Sequence, residues 1–321
     1  MLVRFWGTRG SLPVAPTPDI IAGKIGHALV AANGLSFTDP GQAARWAADA
    51  LPFTVAGTYG GATACVELDG FADSFFVCDL GSGVRGFGLS AMARAAGGRP
   101  RVYNIFLSHL HWDHIMGFPF FVPAFDPDAL IRIHAGHPEA EAALRRQQEE
   151  ISFPVSFDWL RARIEFVTLT PGVPHEVDGV TVHIIRQYHS NDSYGFRFEA
   201  RGRSVVYSTD SEHKPENMES ELAFESFFRD ADLVVFDTMY SLADSVTMKE
   251  DWGHSSALVA VDLCQNAGVH RLAMFHHEPI YGDEEIAKLH REAVRYEELN
   301  RDGHERALAV LCAHDGLEIR L

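Results

Sequence analysis

Short apolar runs alternate with longer amphipathic stretches along most of this 321-residue chain. The runs are rich in Val, Ile and Phe, which favours strands, whereas the amphipathic stretches have helical spacing. This alternation predicts an α/β protein whose sheets are buried under helices. Strands are predicted at residues 2–6, 63–68, 75–78, 102–107, 131–134, 164–168, 182–188, 194–199, 204–208, 233–236, 272–275 and 308–311. Helices are predicted at residues 20–32, 40–50, 89–96, 139–150, 215–228, 255–267 and 284–300.

The run of strands from 164 to 208 contains turn signals at Pro171-Gly172 and Arg201-Gly202. We therefore predict that these strands pair antiparallel, and that the protein has mixed rather than purely parallel sheets. The alanine-rich region 15–56 contains two helical patterns and is predicted to be an N-terminal helical insertion. A helical cap without chemistry is favoured there over a gating lid, since long insertions are common and cost little.

The charge balance restricts the partners of the chain. It has 27 Lys and Arg against 44 Asp and Glu, a net charge of −17. Large nucleic acids and anionic membranes need a basic face, so neither is expected as a partner. The four cysteines form no CxxC pair, which indicates neither a disulfide framework nor a cysteine zinc site. The start carries no apolar signal core and no run approaches the ~20 residues of a membrane span, so we predict a cytoplasmic protein.

The strongest local signal is His109-Leu110-His111-Trp112-Asp113-His114, which follows the predicted strand 102–107. Sites in α/β proteins commonly lie at the carboxyl ends of strands. His109 and His111 are two apart on extended backbone, so they point to the same side and can bind one ion. Asp113 and His114 come where the chain turns and can face a second ion. Imidazole and carboxylate ligands favour zinc, with manganese and iron as alternatives.

This segment resembles the His-x-His-x-Asp-His signature of the metallo-β-lactamase-fold hydrolases. The resemblance extends over most of the chain. It implies an α/β (α+β) fold, a four-layer αββα sandwich with two mixed sheets. It also implies that residues 1–321 form one hydrolase domain. The resemblance does not explain the helical region 15–56, which we predict to be inserted within this domain.

The resemblance implies further site residues at the ends of other predicted strands. Asp79, in Phe-Phe-Val-Cys-Asp-Leu-Gly-Ser-Gly, is similar to an aspartate that supports the histidine loop from behind. His189 completes the first metal site, and Asp210 bridges both metals. His276 is similar to the last histidine on the second metal. His277 is its rival, and His276 is preferred because it is the first residue past the strand.

The implied site therefore holds two divalent ions. One ion is bound by His109, His111 and His189, and the other by Asp113, His114 and His276, with Asp210 between them. Two such cations lower the pKa of a bridging water from 15.7 towards roughly 7, so that hydroxide exists at neutral pH. They also polarise the electrophile and stabilise its developing charge. Asp113 is both a ligand and a catalytic acceptor that orients the hydroxide.

Three further stretches resemble enzymes that act on phosphodiesters. Residues 193–197 (Ser-Tyr-Gly-Phe-Arg) resemble a segment of the ribonuclease Z-like branch. Residues 251–255 (Asp-Trp-Gly-His-Ser) are similar to the Gly-His-Ser motif of that branch, whose histidine contacts the scissile phosphate. The opening segment 4–11, together with 58–61, is similar to bacterial proteins grouped with phosphoribosyl cyclic phosphodiesterase.

His254 suits a general acid, because its ordinary pKa of about 6.5 lets it carry a proton at working pH. Gly253 before it, with Ser255 and Ser256 after it, indicates a helix N-terminus that would add positive partial charge. The alternative is that Ser255 merely caps a helix and His254 is a solvated neighbour.

Other side chains have weaker signals. Trp112 either stacks on a base of the substrate or packs, and both interpretations stay open. His213 follows Asp210 closely and is a candidate for substrate contact, as is Ser193 in the segment 193–197. His134 and His137 are interpreted as non-ligands because they end a strand outside the motif order.

The chain also departs from its relatives, since it has neither the long arm with which ribonuclease Z grips transfer RNA nor a cysteine zinc site. A charge of −17 favours a small phosphodiester substrate, such as a cyclic nucleotide or a cyclic sugar phosphate. One alternative is a thioester or lactone hydrolase with the same metals, and another is a non-catalytic, metal-stabilised protein that binds a small anion. The apolar stretch 116–125 either packs against the core or forms a pocket wall or a homodimer face beside the metals.

Overall fold

The computed structural model describes residues 1–213, 218–241, 252–304 and 306–321. These residues form two seven-stranded sheets. The first sheet contains, in spatial order, β14 (Glu318–Arg320), β1 (Leu2–Gly7), β2 (Cys65–Asp69), β3 (Phe75–Cys78), β4 (Val102–Leu107), β5 (Leu130–Ala135) and β6 (Arg163–Thr168). The second sheet contains β13 (Ala309–Cys312), β12 (Arg271–Phe275), β11 (Leu233–Asp237), β10 (Arg203–Ser208), β9 (Ser193–Ala200), β8 (Val180–Gln187) and β7 (His175–Val177).

Both sheets are mixed, as predicted, and they have the same pattern. Strands β14, β1, β2 and β3 pair antiparallel, whereas β3 to β6 pair parallel. In the second sheet β7 to β10 pair antiparallel and β10 to β13 pair parallel. The parallel halves place the carboxyl ends of several strands along one edge of each sheet, where loops can carry a site.

One predicted pairing is wrong. Residues 164–168 do not belong to the antiparallel run, because β6 pairs parallel with β5 in the first sheet. Pro171 and Gly172 lie in the connection from β6 to β7, which crosses to the second sheet. Ile164 and Phe166 pack against the core on the helix side of the first sheet. An apolar strand gains similar burial in either sheet, so its sequence alone did not identify its partner.

Nine helices are described in these ranges: α1 (Pro18–Ala31), α2 (Pro40–Ala50), α3 (Phe53–Ala56), α4 (Val84–Ala96), α5 (Trp112–Ile115), α6 (Ala140–Gln147), α7 (Met218–Phe228), α8 (Ala257–Asn266) and α9 (Asp283–Asn300). Most begin and end within three residues of the prediction. The predicted start at residue 215 lies outside the described residues. Helix α4 begins five residues earlier than predicted, since two glycines in its first half weaken the helical signal.

Three apolar cores separate four layers. The core between the two sheets includes Phe76 and Phe106 from the first sheet and Phe198, Tyr207 and Phe275 from the second. A second core lies between the first sheet and helices α4 and α6. A third lies between the second sheet and helices α7, α8 and α9. The layers are therefore helix, sheet, sheet and helix, which confirms the αββα sandwich.

Residues 15–56 contain α1, α2 and α3, and none of these helices has a buried residue. The region contacts the rest of the protein through, among others, the ion pair between Nζ of Lys24 and Oδ2 of Asp283 at 2.5 Å. The role of this region as an insertion stays a prediction. Across the described ranges, no helix combines the length and the apolar character that crossing a membrane requires.

Candidate metal centre

Side chains that follow four strands meet in one largely buried cluster. The loop after β4 supplies His109 and His111, and the short helix α5 supplies Asp113 and His114. The remaining cluster residues follow β8, β10 and β12, where they are His189, Asp210 and His276. Strand β4 belongs to the first sheet, and β8, β10 and β12 belong to the second, so both sheets contribute to the cluster. The cluster lies at the edge where the carboxyl ends of the parallel strands come together.

Three histidines form the first group of candidate metal ligands. The ligand atoms of His109, His111 and His189 all lie within 4.8 Å of one another. Nε2 of His189 is 3.0 Å from Nδ1 of His111. Three imidazoles converging at this spacing are a donor set that suits zinc and other divalent transition metals.

The second group consists of Asp113, His114, Asp210 and His276, and all four residues are buried. Nε2 of His114 lies 3.2 Å from Nε2 of His276. Oδ2 of Asp113 lies 3.2 Å from Nε2 of His114 and 3.3 Å from Nε2 of His276. Two carboxylates facing two imidazoles in a buried pocket form a second, more anionic candidate site.

Asp210 lies between the two groups, and each of its carboxylate oxygens faces a different one. Oδ1 is 3.2 Å from Nε2 of His114 and 3.3 Å from Nε2 of His276. Oδ2 is 3.6 Å from Nε2 of His109 and 3.7 Å from Nε2 of His189. Burial raises the pKa of Asp210, but His276, His114 and His109 together hold that pKa well below its ordinary value. The carboxylate is therefore ionised and can be shared.

The two groups differ in their proton affinity. Burial lowers the pKa of His109 well below its ordinary value, and the neighbouring His114 lowers it further. Burial also lowers the pKa of His189. In contrast, the carboxylates of Asp210 and Asp113 outweigh burial at His114 and raise its pKa well above the ordinary value. His109 and His189 are thus neutral imidazoles, whereas His114 holds a proton that a cation would have to displace.

Asp79 supports the histidine loop from behind. It follows β3, is fully buried, and has a φ angle of 60°. Its carboxylate accepts hydrogen bonds from the Ser108 amide (2.8 Å), the Ser108 hydroxyl (2.7 Å), the Tyr207 hydroxyl (2.7 Å) and Nδ1 of His114 (2.8 Å). The last bond places a proton on Nδ1 of His114 and turns Nε2 towards the cluster.

A main-chain carbonyl orients His189 in the same way. Nδ1 of His189 donates to the carbonyl oxygen of Gly253 at 2.8 Å, which leaves Nε2 to face the cluster. Gly253 has a φ of 81°, and a Cβ at this position would lie 2.3 Å from Nδ1 of His189. Only glycine therefore permits this contact.

His254 lies beside the cluster and is bound by an aspartate that the sequence analysis missed. Nδ1 of His254 donates to Oδ2 of Asp237 at 2.7 Å. Burial lowers the pKa of His254, but Asp237 outweighs it and the pKa rises to about 9. Asp237 directly follows the predicted strand 233–236, just as Asp79 directly follows its own strand. This shared position is the sequence feature from which Asp237 could have been predicted as a site residue. Helix α8 follows with Ser256, not Ser255, as its N-cap.

The opening segment also reaches the cluster, which the sequence analysis did not predict. The amide of Ser11 donates to Oδ2 of Asp113 at 2.8 Å. A Cβ on Gly10 would lie 2.6 Å from Nδ1 of the His276 ring. The backbone of Gly10 therefore packs directly on a candidate ligand, a contact between residues 266 positions apart that no local pattern indicates.

The remaining predicted site residues fall in different places. His277 points away from the cluster, with Nε2 2.8 Å from the carbonyl oxygen of Ala313, so the structure brings His276 and not His277 into the site. Trp112 is exposed beside the cluster. His134 and His137 lie outside it, with hydrogen bonds to Asn104 and to the carbonyl oxygen of Asp192.

Two residues predicted to contact the substrate, Ser193 and His213, contact other parts of the protein. The hydroxyl of Ser193 is buried and donates to the carbonyl oxygen of Asp210 at 2.6 Å, so it positions that loop rather than facing a substrate. The ring of His213 packs against Phe224 and Phe236, and burial lowers its pKa to about 4. His213 is therefore directed into the helix-covered core, where apolar packing outweighs its proximity to Asp210 in sequence.

Known proteins share this architecture. The model of the "Beta-lactamase superfamily domain" family matches residues 76–277. Ribonuclease Z of Picrophilus torridus is 22% identical over 232 residues, which cover 57% of this chain and 71% of that protein. Among solved structures, the metallo-β-lactamase fold protein YhfI from Bacillus subtilis has a TM-score of 0.62 and 17% identity, covering 99% of this chain and 98% of that one. A diphosphatase of the PhnP family has a TM-score of 0.57 and 18% identity, covering 100% and 97%.

These similarities confirm the metallo-β-lactamase fold and the metal-dependent hydrolase class that the sequence predicted. The family model spans the loops after β3, β4, β8, β10 and β12, so the whole candidate cluster lies within the matched region. The chain belongs to the β-lactamase superfamily domain family.

Proposed function

We propose that the protein is a dinuclear metal-dependent phosphodiesterase that hydrolyses a small, preferably cyclic, phosphodiester. The observation that carries this proposal is the position of Asp210, whose two oxygens face two separate sets of imidazoles at 3.2–3.7 Å. A carboxylate in this position is suited to hold two cations at once.

The residues present fit divalent cations. Nε2 of His109 is buried without a hydrogen-bond partner, although burying a polar atom without a partner is costly. Its imidazole is neutral, so this nitrogen offers a lone pair directed towards the histidines of the first group. The Nδ1 bonds of His114 and His189 fix the tautomers that present Nε2 in the same direction. A buried ring nitrogen with a free lone pair, among histidines whose tautomers are fixed by other hydrogen bonds, is typical of a metal site.

Within this proposal each cation has its own ligands. His109, His111 and His189 would hold one cation, Asp113, His114 and His276 would hold the other, and Asp210 could serve both. Divalent cations supply Lewis acidity in such a site and lower the pKa of water towards roughly 7. Zinc suits the histidine-rich group, and manganese or iron suits the carboxylate-rich group equally well.

The protein itself supplies the proton for the leaving group. His254 keeps its proton at neutral pH because Asp237 raises its pKa to about 9. With Nδ1 donating to Asp237, the Nε2 proton of His254 is the one available to an alkoxide oxygen as the P–O bond breaks. The ring of His254 stacks on the ring of His276, 5.2 Å between centroids, so this proton is held next to the cluster.

Two observations favour a small substrate with a phosphorus centre. The relatives by sequence and by fold include a ribonuclease and a diphosphatase, names that both denote action on phosphate groups. The net charge of −17 repels a long polyanion, and the affinity of proteins for long nucleic acids depends on many basic contacts. A single phosphodiester carries one negative charge and is repelled far less.

The test uses the metal-loaded protein with bis(p-nitrophenyl) phosphate, after dialysis against Zn²⁺ or Mn²⁺. We expect metal-dependent turnover of this diester. On adenosine 2′,3′-cyclic phosphate, whose leaving group is an alkoxide that needs a proton, we expect His254→Ala to lower turnover by about 100-fold, the range typical of general-acid loss. His183→Ala, a half-exposed histidine of β8, is the matched control and keeps full activity. Absence of turnover on this and other diesters contradicts the proposal.

The same variants test the alternative chemistry. Acetylthiocholine and γ-butyrolactone are offered as a thioester and a lactone. Loss of diester cleavage in His254→Ala with unchanged ester cleavage supports phosphodiester hydrolysis, whereas equal activity of the variant on all substrates favours the ester hydrolase. Tight binding of inorganic phosphate without turnover of any substrate would instead favour a small-anion binding protein.

A further inference from the structure

Strongly exposed aromatic side chains concentrate around the cluster. Among the residues that the structure describes, four aromatic side chains are at least 60% exposed. They are Trp112 (65%), Tyr188 (67%), Trp252 (60%) and Trp159 (66%). The first three are each the direct chain neighbour of a residue that forms or orients the cluster, and only Trp159 lies in a different connection. We call Trp112, Tyr188 and Trp252 the aromatic rim.

The contacts within the cluster bring the backbones of the three rim residues close together. Trp112 follows His111 and Tyr188 precedes His189, and these two histidines lie with Nδ1 and Nε2 3.0 Å apart. Trp252 precedes Gly253, whose carbonyl oxygen accepts from His189 at 2.8 Å. Adjacent Cα atoms are about 3.8 Å apart. Each rim residue is therefore one residue away from a contact made by His189.

The exposure of these rings indicates a ligand rather than a structural role. Buried aromatic rings in this protein, such as Phe106 and Phe198, pack edge to face in the cores and contribute to folding there. The rim rings leave most of their surface in water, so burying them against a ligand would be favourable. Aromatic faces bind planar π systems by stacking, and nucleobases are the planar groups that occur next to phosphodiesters.

We propose that the aromatic rim binds the base of a nucleotide, so that the substrate is a nucleoside phosphodiester of about one nucleotide rather than a base-free sugar or glycerol diester. This inference rests on the proposed function. The size follows from charge, because a longer strand needs basic side chains along its backbone and the chain is strongly acidic.

The test compares two kinds of diester on the metal-loaded protein. Adenosine 2′,3′-cyclic phosphate and adenosine 3′,5′-cyclic phosphate carry a base, and glycerol 1,2-cyclic phosphate does not. The measured quantity is the ratio of kcat/KM for the better nucleotide to kcat/KM for the glycerol diester. We expect Trp112→Ala, Tyr188→Ala and Trp252→Ala to lower this ratio by about 5- to 100-fold for each residue that stacks on the base.

The controls separate stacking from structural damage. Trp159→Ala removes an equally exposed ring from another connection and is expected to leave the ratio unchanged. Trp112→Phe keeps an aromatic face and should restore most of the ratio lost in Trp112→Ala. An unchanged ratio in all three rim variants, or an equal fall in Trp159→Ala, overturns the inference.

A binding measurement keeps the two proposals distinguishable. If the wild-type protein hydrolyses the diesters and the rim variants have the same ratio of kcat/KM values as the wild type, the phosphodiesterase stands and the base site fails. If no diester is hydrolysed, the proposed function fails, and calorimetry with the Rp-phosphorothioate of adenosine 3′,5′-cyclic phosphate still tests the rim. Weakening of that binding by about 5-fold or more in Trp112→Ala, with recovery in Trp112→Phe, supports the base site, and equal binding overturns it.

Discussion

Asp237 accepts a hydrogen bond from Nδ1 of His254 at 2.7 Å, and both side chains are shielded from water. The contact joins the end of β11 to the loop that precedes α8. It gives His254 a proton that persists above neutral pH, and it orients the ring so that Nε2 remains available.

The first prediction concerns this pair. Asp237→Asn removes the carboxylate that raises the pKa of His254 to about 9, so the pKa falls. A general acid works only while protonated, so activity is lost as the pH rises through its pKa. The alkaline limb of the kcat/KM profile for adenosine 2′,3′-cyclic phosphate, whose alkoxide leaving group needs a proton, should therefore move to lower pH, with at least a 10-fold loss near pH 8. An alkaline limb that stays in place, in protein of unchanged metal content, contradicts this role.

Asp210→Asn tests the shared carboxylate. The amide cannot provide two anionic oxygens, so we expect the protein to lose at least one equivalent of metal and more than about 100-fold of its activity. Metal content is measured by elemental analysis after gel filtration. Asp232→Asn is the matched control, since this buried aspartate precedes the other end of β11 and accepts from Arg203 and the Ser204 amide. Two retained metal equivalents in Asp210→Asn would exclude the bridging role.

Asp79→Asn tests the support of the histidine loop. The variant cannot accept the Nδ1 proton of His114 as a carboxylate does, so metal affinity should fall by about 10- to 100-fold. Competition with a chromophoric chelator measures the affinity. Tyr207→Phe removes one of the four hydrogen bonds to Asp79 and leaves His114 bonded, so its effect on metal affinity should be much smaller. Equal loss in both variants would assign the effect to general destabilisation.

Gly10→Ala tests the close approach of the opening segment. Its new Cβ would lie 2.6 Å from the His276 ring, which must therefore move. We expect weaker metal binding and at least a 10-fold lower kcat/KM. Gly26→Ala is the control, because nothing lies within 4 Å of that position in α1 and alanine favours helix by up to about 1 kcal/mol. Normal metal binding by Gly10→Ala would show that the ring shifts without cost.

The fifth prediction concerns stability in acid. Burial, together with the nearby Arg132, lowers the pKa of His134 to about 4. Between pH 6.5 and 4 the unfolded chain binds a proton at this residue and the folded protein does not. The free energy of unfolding therefore decreases as the pH falls through this range, by up to about 1.4 kcal/mol per pH unit for this group. Urea unfolding in the presence of a chelator measures it, and His134→Asn should flatten the slope.

Local spacing explains which site residues the sequence predicted. His109, His111, Asp113 and His114 lie within six residues, so their pattern is visible without a fold. His189, Asp210 and His276 were predicted only through a family resemblance, and the structure brings them to the same cluster. Their roles as ligands stay predictions until metal is measured.

The contacts that were missed depend on tertiary structure. Gly10 approaches His276 across 266 residues, and Asp237 approaches His254 through a loop whose residues 242–251 lie outside the described ranges. The strand at 164–168 was assigned to the wrong sheet for a related reason, since strand propensity reports burial but not the identity of the partner strand. The packing of His213 against Phe224 was not predicted, because closeness in sequence to Asp210 does not determine which side of the sheet a side chain occupies.

The split origin of the ligands has a mechanical consequence. His109 and His111 come from the first sheet and His189 from the second, while Asp113 and His114 face Asp210 and His276 across the same seam. Each cation would thus link the two sheets of the sandwich, and its binding would increase the free energy of unfolding of the whole domain. Chelation should then loosen strands that contribute no residue to the cluster, and hydrogen exchange in the edge strands β6 and β7 would report it.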